Sequence, residues 1–114
     1  MENPDILAAA MAGKAVTVAD FLKGLASPPR LMILCCLLDG ERSVGAITGA
    51  TGIAQTSVSQ HLARLREAGI VAFRRDHRTL HYRIADPAAV AVMQTLYDHF
   101  CTNGADARPG PREA

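Results

Sequence analysis

The 114-residue sequence contains no apolar run approaching the ~20 residues that a bilayer span requires. Its start, MENPDILAAAMAG, places acidic residues where a signal peptide needs a positively charged region. No membrane partner is expected, and the chain reads as cytoplasmic. Cysteine is scarce: there are three, and two of them are adjacent, so they cannot both serve one ordinary structural bridge. In a reducing compartment this argues against a disulfide scaffold. No Ser-His-Asp order, phosphate-cradling glycine loop or paired carboxylates on a shared face is present, which argues against an enzyme. Cys35 with a distant His is the one nucleophile pairing left to consider. Net charge is only +1, too small by itself to indicate nucleic acid.

The distribution of that charge is more telling. Between Gln55 and Arg83 lie six arginines (64, 66, 74, 75, 78 and 83) against Glu67 and Asp76, a local charge of +4. Directly before the basic run, residues 43–69 read SVGAITGATGIAQTSVSQHLARLREAG. This is the pattern of two short helices joined at Gly52, the second carrying Val58, Leu62 and Leu65 on one stripe and short polar groups opposite. Gln, Thr and Ser are short enough to approach base edges and phosphates in a major groove while the apolar stripe seats the helix. A DNA-reading helix-turn-helix is expected. An arginine-rich solvated face is the plain alternative, and a winged-helix protein-interaction module is an alternative of another class. Steep loss of binding with added salt separates DNA from the other two.

The rest of the chain fits around this element as one domain over residues 1–102. Residues 5–25 form a helical pattern weakened by Gly13. Ser27 caps a helix opened by Pro28 and Pro29, and residues 30–38 are apolar on nearly all sides, as in a core helix. Ser43 is the expected cap of the next helix, residues 43–51, and the helix after it begins at Ala54 or Gln55. Val71 and Phe73, then Leu80, Tyr82 and Ile84, alternate with polar residues around Asp76-His77-Arg78-Thr79, which predicts a two-stranded hairpin, or wing. That loop lacks Gly, so Asp76 or His77 takes any left-handed position. A last helix begins near Asp86-Pro87. Residues 103–114, rich in Gly, Pro and charge, are expected to be a disordered tail. The fold class is therefore mainly α: about five helices with a two-stranded β-hairpin wing.

Three phrases, PPRLMILCCLLDGE, TGIAQTSVSQHLARLREAGIV and RRDHRTLHYRI, together resemble the ArsR/SmtB family of dimeric winged helix-turn-helix repressors, over roughly residues 18–101. The resemblance implies a homodimer formed through the first and last helices, bound to double-stranded DNA at an imperfect inverted repeat. By position it implies recognition-helix contacts from Gln55, Thr56, Ser57, Ser59, Gln60 and Arg64, and wing contacts from Arg74, Arg75, His77 and Arg78. Thr56 or Ser57 serving only as a cap, and Arg66 pairing only with a neighbouring acid, are the plain readings. Ala54 departs from the family, which often has a capping Ser there. His61 suits a structural hydrogen bond better than a base contact.

The family divides by effector. The arsenic and cadmium types carry a Cys-x-Cys word before the turn, where this chain has GERSVGAI. The zinc type has an Asp-x-His on the last helix with a further His downstream, where this chain has adjacent Asp98 and His99 and no later His. Neither word supplies the roughly four converging ligands of a metal site, so no metal and no cofactor are expected. Cys35 and Cys101 remain, and their placement resembles the sulfide- and persulfide-responsive members, the BigR, SqrR and HlyU type. Reactive sulfur species are then the implied effector, joining Cys35 and Cys101 through a disulfide or a longer polysulfide link. Cys36 points about 100° away and is read as a packing residue. A response to another oxidant, to an electrophile or to a metal stays open, as does the possibility that both thiols are simply buried small hydrophobes.

Overall fold

A computed structural model describes residues 3–102, and the expected tail at 103–114 lies outside the described residues. The chain runs α1 (Pro4–Ala12), α2 (Ala15–Leu25), α3 (Pro28–Cys36), β1 (Arg42–Ser43), α4 (Val44–Thr51), α5 (Gln55–Glu67), β2 (Val71–Asp76), β3 (Thr79–Ile84) and α6 (Pro87–Tyr97), and closes in a π-helical turn, Asp98–Thr102. The mainly α winged-helix expectation holds, with six α-helices rather than about five.

The extra helix arises at Gly13, where the single stretch expected over residues 5–25 breaks. Asn3 caps α1 by accepting from the Asp5 N–H at 2.7 Å. Gly13 then ends α1, and Lys14 leaves helical geometry at φ −124° and ψ −5° before α2 resumes. The other boundaries follow local chemistry. Ser27 accepts from the Arg30 N–H at 3.2 Å, Ser43 from the Ala46 N–H at 3.1 Å, and Asp86 from the Ala88 N–H at 2.8 Å. Gly52 turns α4 towards α5 at φ 75°, a left-handed conformation that suits glycine.

The sheet is antiparallel with order β1-β3-β2, so the wing has a third strand that alternation did not foretell. Two residues are too few to show a period, and β1 exists only because Arg42 and Ser43 pair with Tyr82 and His81. Within the hairpin Val71 faces Ile84 and Asp76 faces Thr79, and His77 takes the left-handed position at φ 58°. The core is continuous from α3 to α6. Ile33 and Leu34 from α3, Ile47 from α4, and Val58, Leu62 and Leu65 from α5 are fully or almost fully buried, together with Ile70. Helix α1 is the exception, with no buried residue; Ile6 and Leu7 are 61% and 51% exposed.

Candidate nucleic-acid interface and thiol pair

Helix α5 is divided by burial in the way a reading helix must be. Val58, Leu62 and Leu65 hold one side against the core, while Gln55, Thr56, Ser59, Gln60 and Arg64 are exposed and Ser57 is half-buried. Ala54 stands at the N-cap with no side-chain hydrogen bond, so the helix begins without that support. The polar face is thus contiguous from the first turn to Arg64, and short side chains precede the long cation.

Beyond α5, Arg74, Arg75, His77 and Arg78 are all exposed on β2 and the hairpin tip. They are not equivalent. Arg74 Nε donates to both Glu41 carboxylate oxygens, at 2.8 and 3.1 Å, and so ties the wing to the segment before β1. His77 lies 2.9 Å from the Asp76 carboxylate. Arg66, expected at most to meet an acid, instead lays its guanidinium over the Phe73 ring, 4.4 Å from the centroid. Phe73 in turn meets Tyr82 at 5.5 Å between ring centroids, so Arg66 is part of the joint between α5 and the wing.

His61 faces inward. Its Nδ1 accepts from Arg30 Nε at 3.1 Å, and Arg30 Nη1 also donates to the Gly24 carbonyl at 3.2 Å. One guanidinium therefore connects the end of α2, the start of α3 and the middle of α5. Burial first, then the Arg30 and Arg64 cations, hold His61 below its ordinary pKa, which keeps Nδ1 available as an acceptor. The structural role read for His61 is satisfied, but its partner lies 31 positions away and no local signal names it.

The two expected sensing thiols lie in one place. Cys35, half-buried on α3, and Cys101, exposed on the π-helical turn, both line an apolar groove of about 370 Å³ with Leu31, Met32, Met93 and Leu96. Burial pushes the Cys35 thiol up, and Cys101, Cys36 and Asp39 add in the same direction, so Cys35 holds its proton more firmly than an ordinary thiol. Cys36 is also half-buried, but it opens onto a different recess with Asp39, Arg42, Ala50 and Gln94. That recess was not anticipated, because it depends on how the α3–β1 connection folds back towards α6. Among the described residues no group of three or more His, Cys, Asp or Glu is placed to hold a metal ion, and no helix is long and apolar enough to cross a membrane.

The comparisons with known proteins agree with this architecture. Residues 27–72 match the family model for bacterial regulatory proteins of the arsR family, with its helix-turn-helix. The biofilm growth-associated repressor of Xylella fastidiosa is 44% identical over 92 residues, covering 81% of each chain. The crystal structure of the repressor BigR from that organism superposes with a TM-score of 0.76 at 41% identity, covering 82% of this chain and 96% of that one. Reduced HlyU from Vibrio cholerae gives 0.77 at 34% identity, covering 82% and 98%. The homodimeric winged helix-turn-helix DNA-binding domain Mb0332 from Mycobacterium bovis gives 0.67 at 36% identity, covering 82% and 90%. The chain belongs to the arsR family of bacterial regulatory proteins: it is a winged-helix transcriptional regulator of the BigR and HlyU type, and not an enzyme.

Proposed function

We propose that this regulator is a cytoplasmic homodimeric repressor that holds an imperfect inverted repeat through α5 and the wing, and releases it when Cys35 and Cys101 become linked by reactive sulfur species. The observation that carries the reading is the shared groove: both thiols line it, one from α3 and one from the turn after α6. A relative, HlyU of Vibrio cholerae, has a structure in reduced form.

The chemistry divides between the thiols by their surroundings. Cys101 is exposed and Cys35 is held protonated by burial, so Cys101 is the attacking group. Its thiolate attacks the outer sulfur of a persulfide, R–S–SH; a Cys101–S–SH forms and RS⁻ leaves with the electron pair. Cys35, on losing its proton, attacks the Cys101 sulfur and expels HS⁻, leaving a disulfide. Uptake of further sulfane sulfur before closure gives a longer chain, which suits thiols farther apart than the ~7 Å between Cα atoms that a disulfide tolerates. The link ties α3 to the end of α6. A coupling of ~1 to 3 kcal/mol between that link and DNA binding is enough to lower affinity by tenfold or more.

The test is operator binding before and after treatment with a persulfide donor, with peroxide and a thiophilic metal ion run in parallel. Cys35→Ser and Cys101→Ser are expected to bind DNA normally and to stay bound after the persulfide. Release in both variants would sink the sulfur reading, and release of the unaltered protein by peroxide or metal alone would favour another oxidant or a metal as effector.

A further inference from the structure

Cys35 lines two recesses of different character. One is the apolar groove shared with Cys101. The other is a recess of about 430 Å³ lined by Cys35, Cys36, Asp39, Arg42, Gln94 and Tyr97 among others, which Cys101 does not line. That second recess is mixed, about as polar as apolar, and its cation sits near the rim: Arg42 Nη2 meets Asp39 Oδ1 at 3.1 Å in a pair that is largely exposed to solvent. An exposed pair of this kind contributes little and exchanges readily for another carboxylate. A guanidinium has five N–H donors in a fork that matches a carboxylate, so Arg42 has capacity beyond a single contact. Gln94 donates to Asp98 through Nε2 at 2.9 Å, which presents its carbonyl oxygen as an acceptor for an amide or ammonium.

We propose that this mixed recess admits a low-molecular-weight thiol bearing a carboxylate, and that such a thiol undoes the Cys35–Cys101 link by attacking Cys35. The inference rests on the link proposed above and assigns the step that reverses it. The incoming thiolate, RS⁻, forms a bond to Cys35 Sγ; the Cys35–Cys101 bond breaks, and Cys101 leaves as a thiolate that takes up a proton. A second RS⁻ then attacks the sulfur of the bound R group, giving RSSR and restoring the Cys35 thiol. Two electrons pass from two small thiols to the protein disulfide.

Exchange favours the sulfur whose partner is the better leaving group, and displacement at sulfur needs access from behind the bond that breaks. Cys35 holds its proton tightly and is therefore the poorer leaving group, which directs attack onto Cys35. The mixed recess supplies the access, because Cys35 lines it and Cys101 does not. Formation and reversal of the link thus use different recesses beside one residue.

The full-length protein, linked with diamide or an inorganic polysulfide and verified by intact mass, tests the idea by timed reduction with glutathione or with uncharged 2-mercaptoethanol. Acid quenching and peptide mapping should find the transient glutathione adduct on Cys35. Arg42→Met should slow reduction by glutathione about two- to fivefold, the range for losing one exposed charge pair, while the 2-mercaptoethanol rate stays the same. That second rate also reports that the variant is folded and its link accessible. An adduct found on Cys101, or equal slowing with both thiols, overturns the inference and leaves the sulfur reading standing. Failure of both reagents to join Cys35 to Cys101 in the unaltered protein removes both, and is seen before any reductant is added.

Discussion

At the scale of single residues, cations with different surroundings should behave differently on DNA. Arg64 and Arg78 are exposed on the reading helix and the hairpin tip, and among the described residues neither forms an ion pair with a carboxylate. Arg64→Ala and Arg78→Ala should each weaken operator binding and lower the salt dependence of log K by about one unit, without dissociating the dimer. A salt titration followed by fluorescence anisotropy reads this directly, and unchanged slopes would move the reading surface elsewhere. His61 carries a pH prediction. Its pKa in the fold is depressed below the ordinary 6.5, so the unfolded chain binds the proton more readily. The stability it contributes is present above 6.5 and is lost as pH falls from there through the lower folded value. Urea midpoints taken from pH 7.5 down to pH 5 should therefore fall less in His61→Gln than in the unaltered protein.

At the scale of elements, several helix starts were legible because caps act over two or three residues: Ser27 and Ser43 accept as expected, and Asp86 caps the last helix near where it was expected to begin. Ala54 makes the same point by its absence. The backbone there is extended, at φ −58° and ψ 142°, and no side chain caps α5. Ala54→Ser should stabilise the protein by about 1 kcal/mol, seen as a raised Tm. Features that join distant parts of the chain were not legible. Alternation found the hairpin, but β1 has no period of its own and forms only against β3. The Arg30–His61 contact, the Arg74–Glu41 pair and the Arg66 stack on Phe73 each span a gap that no motif encodes. The candidate thiols were found by resemblance to a family, and the recess beside Cys36 was not found at all, since its walls come from α3, the β1 connection, α4 and α6.

At the scale of the whole molecule, α1 is the α-helix without a place in the monomer's core. Ile6, Leu7 and Met11 are exposed on it, and Val90, Tyr97 and Phe100 are exposed on and just after α6. Scattered apolar residues need no explanation, but two helices of one chain presenting such faces fit a second copy better than water. Leu7→Asp should leave the fold intact, because no α1 residue is buried, while shifting the dimer towards monomer in sedimentation velocity and weakening operator binding.

The short strand β1 carries a consequence for the operator. By pairing Arg42 and Ser43 with Tyr82 and His81, it staples the base of α4 to the wing, and Arg74 with Glu41 adds a second staple beside it. In the proposed dimer each half would then act as a stiff stamp, its reading helix and wing held at one spacing. The layout within one half-site is thereby fixed, and the adjustable dimension is the gap between the two halves. One base pair added at the centre of the repeat turns one half-site by about 35° relative to the other. A rigid stamp cannot follow that turn, so operators for this regulator should vary in letters at the centre but not in length.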